Sequence, residues 1–471
     1  MPRQSRYGTR RAINELRAIF ACQWRNGMLP QIRFMPAQAG YRPDADDWAV
    51  PPQVAGPTRL RTSGITQPPI IGLCAEVVFR KISDEERAAH SADFLALLDG
   101  LDAYHDWLLR ERDPRHENLA LCLHPWETGT DNSPAFDPLI EATRDYIEAE
   151  RLLVETFGRA DTVHVKQAHR PTARDYFAYF GLLALYKQCA YDQQAIIERS
   201  PFLLQDVLFN TLLAASLGST ARLADALADG YAPREAARLR EAVARNRERA
   251  GVVAEAIRRK LWDADDGLFY SYDSRGERLL RTATVSSLMP LMSGVADDEQ
   301  AGRLLARLRD PAMFWTRAPV PSTAANAPVF NPERYWSGPS WPVTNWLVLR
   351  GLDERGSDLA GPLRESSLRM IAEGAEREQA RAAAVSVLEQ NSFGEDFTTP
   401  STRQYAHAWL WDSAIVAASW PLVTEKPPQR PPQPTDPGFW EYYDPRTGVP
   451  LGAAPMTWTA SLFLEMLERS A

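Results

Sequence analysis

The chain has 471 residues, 45 % of them apolar and 24 % charged, with a formal net charge of −8. That balance fits a globular protein with a large core, and the acidic excess argues against a general nucleic-acid binder, which carries a basic face. Cys22, Cys74, Cys122 and Cys189 form no CxxC pair, so neither a zinc site nor a disulfide framework is expected.

Met1–Arg11 is polar and basic without an apolar h-region, so no signal peptide is expected. Apolar residues at i, i+3, i+4 spacing then predict helices over 10–24, 94–112, 138–157, 174–190, 201–217, 220–229, 233–260, 298–309, 341–352 and 363–375. Pro233 and the Ser200-Pro201 pair read as helix starts. No run of about 18 apolar residues occurs, so no membrane partner is expected. The arginine-rich stretch 234–249 alternates with Glu and Ala and reads as a solvated helix face held by i,i+4 pairs. Asp263–Gly267 (DADDG) lacks the glycine and glutamate positions of a calcium loop and reads as a tight turn. Strand signals are short: 268–272 and 441–444 each look like one arm of a hairpin.

Long loops separate these helices at 23–67, 124–137, 330–341, 391–413 and 439–458. They concentrate the Trp, Tyr, Gly and Pro residues. Many amphipathic helices with one set of rich loops point to an all-α toroid whose loops build a site at one end. Aromatic loops suit a sugar, whose apolar C–H face packs on a ring.

Cleaving a glycosidic bond takes two carboxyl groups, one to protonate the leaving oxygen and one to activate water or attack. Four segments supply candidates. HPWETGTDNSP (124–134) holds Trp126, Glu127 and Asp131; Asp131 also reads as a helix N-cap, since Asp-x-Ser-Pro opens many helices. GFWEYYDPRTGVPLG (438–452) holds Glu441, which local sequence leaves equally readable as an exposed strand residue. WLWDS (409–413) holds Trp411 and Asp412, and RYWSGPSWPVTNW (334–346) holds Tyr335, Trp336 and Trp341. No Ser-His-Asp set or paired metal-ligand histidines appear, so no metal or cofactor is expected.

Together with QWRNGMLPQIRF (23–34), SGITQPP (63–69), RPTARDY (170–176) and TWTA (457–460), these segments resemble glycoside hydrolase family 63, in particular its mannosylglycerate and glucosylglycerate hydrolases. The resemblance covers most of the chain. It implies a single (α/α)6 barrel over 1–471 with short β-hairpins in the site loops, and hydrolysis with inversion. It puts the general acid at Asp131 and the general base at Glu441. The sugar would meet Gln67, Trp126, Trp336, Trp341, Tyr405, Trp411 and Asp412. The glycerate end would meet Arg170, Tyr176 and Tyr335, with Tyr41 from a mobile loop. A guanidinium suits a carboxylate because it donates two parallel hydrogen bonds.

Two features depart from the family pattern. Gln31 stands where a histidine is expected. The segment 382–424, with WLWDS, lies late in the chain, whereas the family carries it near the N-terminus. It reads as a relocated helical element, returned to the Glu441 loop by the proline-rich linker 425–438, EKPPQRPPQPTDPG. A toroid makes first and last helices neighbours, and about 12 extended residues reach roughly 35 Å. A permuted but intact barrel is therefore expected, with Asp412 near Asp131 and Glu441. The acid and base oxygens should be ~6.5–9.5 Å apart and Asp131 should be held protonated by burial or by a neighbour such as Glu127.

The expected partner is a small glycoside, with a homo-oligomer left open, in the cytoplasm where thiols stay reduced. Two rival readings remain: a trehalase-like or other α-glucosidase acting on neutral sugars, and a sugar-binding protein without catalysis.

Overall fold

The computed structural model describes residues 6–34, 42–56, 60–155, 157–158, 162, 165–391, 408–425, 433 and 435–469. Its longer helices are α1 (Arg6–Phe20), α2 (Ile71–Lys81), α3 (Ser91–Glu111), α4 (Asp137–Ala149), α5 (Ala173–Gln188), α6 (Val207–Ala228), α7 (Pro233–Lys260), α8 (Asp298–Arg309), α9 (Pro342–Glu354), α10 (Ala360–Ile371), α11 (Arg377–Asn391), α12 (Leu410–Ser419) and α13 (Thr457–Glu468). Packing sorts most of them into two layers. The inner ring runs α12, α2, α6, the 3-10 segment Val285–Leu291, α9, α13 and back to α12. Around it lie α1, α3, α7, α8, α10 and α11, each against an inner neighbour, while α4 and α5 pair as an excursion. This is the (α/α)6 toroid.

Layer position explains the sequence of each helix. α7 and α8 bury one stripe and expose the other, and both run over the predicted residues. Inner helices are buried nearly all round: α2 buries Ile71 through Phe79, and α6 is long and apolar enough to cross a membrane, yet 89 % of its most apolar window is buried inside the protein. The arginines of α7 pair mainly across helices, Arg238 with Asp99, Arg245 with Asp102 and Arg247 with Asp225, in place of the expected i,i+4 pairs.

Other local expectations change. The two helices expected at 201–217 and 220–229 are one, α6, because burial outweighs the ~1 kcal/mol helix penalty of Gly218. Its start is not Ser200-Pro201 but Asp206, whose carboxylate accepts from the Phe209 N–H at 2.8 Å. The preceding Leu204–Gln205 is extended and pairs with Tyr272–Asp273. The arm expected at 268–272 splits: Leu268–Phe269 pairs with Trp262–Asp263 across the DADDG turn, whose Asp263 accepts from the Asp265 and Asp266 N–H groups.

One element sits where chain order does not put it. α12 stands between α13 and α2 in the ring and packs on α1 outside. A short sheet steers it there: Ile32–Phe34 lies between Arg61–Thr62 and Ala408–Trp409, and the Leu410 N–H donates to the Gln31 carbonyl at 2.9 Å. Gln31 itself is buried. Residues 392–407, with Tyr405, residues 426–432 and 434 of the linker, and Tyr41 lie outside the described residues.

Candidate active site

The loop that carries Asp131 is built from below. Glu127 is fully buried and accepts four hydrogen bonds: from Arg112 Nη1 (2.8 Å) and Nη2 (2.7 Å), and from the backbone N–H groups of Leu123 (2.7 Å) and Thr66 (3.2 Å). Arg112 also donates from Nε to Gln193 and from Nη1 to the Leu121 carbonyl. His124 accepts the Trp126 N–H on Nδ1 and reaches the Tyr179 carbonyl with Nε2, while burial lowers its pKa to about 4, so a neutral ring with its proton on Nε2 fits both contacts. Gly129 has φ +74°, and a Cβ there would approach Trp411 Cζ3 to 3.2 Å, so glycine lets the loop lie against α12.

This frame carries Asp131. Its carboxyl does not cap the following 3-10 turn, which starts at Ser133 without a side-chain cap. The Tyr179 hydroxyl donates to the Asp131 carbonyl at 3.1 Å, and Asn132 Oδ1 accepts the Trp336 N–H at 3.0 Å, tying the loop to its neighbours. Burial raises the Asp131 carboxyl to about 7, and the Glu441 charge adds to the rise while Arg170 opposes it. Glu127, neutralised by Arg112, is not the neighbour responsible.

Glu441 precedes a two-residue strand, Tyr442–Tyr443, paired with Pro450–Leu451. It is 4 % exposed, so the surface-strand reading fails. Arg170 grips it bidentately, Nη1 to Oε1 at 2.9 Å and Nη2 to Oε2 at 2.7 Å, and the Ala453 N–H also donates to Oε2 at 3.0 Å. Gly452, at φ +79°, leaves the space: a Cβ there would lie 2.6 Å from Oε2. The Arg170 guanidinium covers the Tyr335 ring at 5.1 Å. Arg170 Nε is buried without a hydrogen-bond partner among the described residues.

The other candidates gather around this pair to different degrees. Burial raises Asp412 to about 7, with Glu441 adding to it, so the α12 carboxyl shares the site. Gln67 Oε1 accepts the Trp411 N–H at 3.0 Å. Burial raises the Tyr335 hydroxyl well above the ordinary tyrosine range, and the fields of Asp131 and Glu441 add to the rise. Tyr176 and Trp126 pack edge to face, with Tyr179 against both. Trp336 and Trp341 stack at 3.8 Å and 5° and expose 3 % and 0 % of their surface, a wall behind the site. Tyr179, Asn132 and Gly452 escaped the sequence reading. Tyr179 follows Tyr176 by three residues, a spacing that places both on one helix face.

A family profile for the mannosylglycerate hydrolase MGH1-like glycoside hydrolase domain matches residues 4–404. The chain belongs to this family. Its similarity to relatives runs further, through the Glu441 loop. It is 32 % identical to the mannosylglycerate hydrolase of Rubrobacter radiotolerans over 98 % of this chain and 87 % of that one. It is 27 % identical to the glucosylglycerate hydrolase of Mycolicibacterium hassiacum, over 97 % and 87 %. The family 63 mannosylglycerate hydrolase of Thermus thermophilus, solved with Tris and D-glycerate, superposes with a TM-score of 0.68 at 27 % identity, covering 97 % of this chain and 91 % of that one. As a member of this family, the chain is a glycoside hydrolase.

Proposed function

We propose that this glycoside hydrolase cleaves the α-glycosidic bond of a hexosylglycerate, glucosylglycerate or mannosylglycerate, with inversion at the anomeric carbon. The observation that carries the reading is a carboxyl held protonated up to about 7, Asp131, within the field of a second carboxylate, Glu441. Two carboxyl groups in unlike environments divide into acid and base.

In the proposed step Asp131 gives its proton to the glycosidic oxygen as the bond to the anomeric carbon breaks. A water attacks that carbon from the opposite face and passes its proton to Glu441. The products are a hexose of inverted configuration and glycerate, and a proton moving from Glu441 to Asp131 through solvent restores the start. Asp412, Gln67 and Trp126 would meet the sugar; Arg170, Tyr335 and Tyr176 would meet the glycerate end. The tryptophan stack would support the sugar subsite from behind, and Tyr41 and Tyr405 complete the proposed set. The relatives named for mannosylglycerate and glucosylglycerate support this choice of substrate. The four buried, unpaired cysteines support a reducing compartment, the cytoplasm.

We further propose that 382–424 is a relocated element of one barrel. The place of α12 between α13 and α2 supports it.

Release of hexose from glucosylglycerate, mannosylglycerate, trehalose and a neutral glucosylglycerol tests the substrate reading. Turnover of one or both glycerates well above the neutral sugars is expected. Preference for trehalose would replace the reading with a neutral α-glucosidase.

A further inference from the structure

The Arg170–Glu441 pair is an odd resting arrangement for a base that has to hold water. A carboxylate accepts hydrogen bonds in the plane of its two oxygens, and here the guanidinium takes one position on each while Ala453 takes another on Oε2. The guanidinium is itself incompletely used, since Nε is buried with no partner among the described residues. Arg112 is used more fully, with its Nε on Gln193 and both Nη groups on Glu127. Arg170 thus rests on one carboxylate and keeps an unspent donor.

We propose that Arg170 is shared between the base and the substrate, so that an anionic aglycone switches the base on. A carboxylate arriving beside Arg170 takes part of the guanidinium, one or both Nη contacts to Glu441 loosen, and the freed oxygen holds the attacking water. One guanidinium then serves two carboxylates, and Tyr335 supports its face throughout. Arg170 then determines specificity through turnover as well as binding. A neutral glycoside would bind but leave Glu441 clamped. This inference rests on the hexosylglycerate reading and adds a requirement that simple recognition of glycerate does not carry.

The test separates the two carboxylates by using a substrate with no aglycone. The α-hexosyl fluoride of the preferred sugar leaves the glycerate end empty and still requires the base. Its hydrolysis by the full-length protein is followed by fluoride release, with and without acetate or glycolate, against chloride at equal ionic strength. The carboxylates should raise kcat saturably by roughly 5- to 150-fold, the usual range of coupling between two ligands, and chloride should not. In Arg170→Met the activation should vanish. Hexosylglycerate turnover together with fluoride hydrolysis that carboxylates leave unchanged, or only inhibit, would overturn the switch alone. Absence of hexosylglycerate turnover would instead overturn the substrate reading. Activation persisting in Arg170→Met would assign the effect to another cation. If that variant fails to fold, the wild-type response decides.

Discussion

Two buried arginine–glutamate pairs lie in this barrel and have opposite characters. Arg112–Glu127 is wholly excluded from solvent, and each carboxylate oxygen of Glu127 accepts two hydrogen bonds, one from the guanidinium and one from the backbone. Arg170–Glu441 keeps 8 % and 5 % of its side-chain surface open, and Arg170 Nε has no partner among the described residues. The first pair is a strut under the Asp131 loop, and the second lies in the candidate site. Burial and bidentate geometry are common to both pairs, and the hydrogen bonding around them differs.

The largest effect should come from the proposed acid and base. Asp131→Asn and Glu441→Gln should each lower kcat by about 10²- to 10⁴-fold, the usual span for a general acid or base, with substrate affinity by calorimetry largely kept. Residual turnover within tenfold of wild type would reject the assignment of that residue.

Next comes the strut. Arg112→Met strands a buried Glu127 charge and should lose about 3–5 kcal/mol of stability, read from denaturant unfolding. Arg170→Met should lose about 1–3 kcal/mol, because its partner stands at the solvent-reachable site. Equal losses would erase the contrast between the pairs. A third change touches the base alone. Gly452→Ala forces a side chain into a left-handed position against Glu441 Oε2, a strain of order 1–3 kcal/mol. Its kcat should fall more than its KM rises.

The smallest effect is a pH shift. Asp131 has to be protonated to act, and its carboxyl sits at about 7 in the free protein, so kcat/KM should fall as pH rises through 7. Asp412 also sits at about 7, so Asp412→Asn separates the two. The alkaline limb should survive in that variant, at reduced kcat. Loss of the limb would hand the acid role to Asp412.

Most outer helices were legible in the sequence because one face meets water: the stripes of α7 and α8 mark their spans to the residue, whereas α11 does not read as a helix of its own. Inner ones were unevenly legible: 341–352 nearly matches α9, α6 reads as two pieces, and two others were hidden. α2 and α13 have no polar face to set a period, and only the TWTA motif marked the start of α13. The site's membership was readable from aromatic loops around Asp131, Glu441 and Asp412. Its wiring was not, since Arg170 meets Glu441 across 271 residues of sequence. No local pattern distinguishes a guanidinium reserved for substrate from one that rests on the base. The stacked tryptophans show the same limit: Trp336 and Trp341 belong to the site's neighbourhood, but their burial behind it follows only from the packed rings.

The central claim is single displacement between Asp131 and Glu441. Proton NMR of the first-formed hexose, recorded before mutarotation, tests it most directly on the preferred α-hexosylglycerate. The β-anomer should appear first and relax toward the equilibrium mixture. Initial release of the α-anomer would mean retention, and would contradict a water-activating role for Glu441.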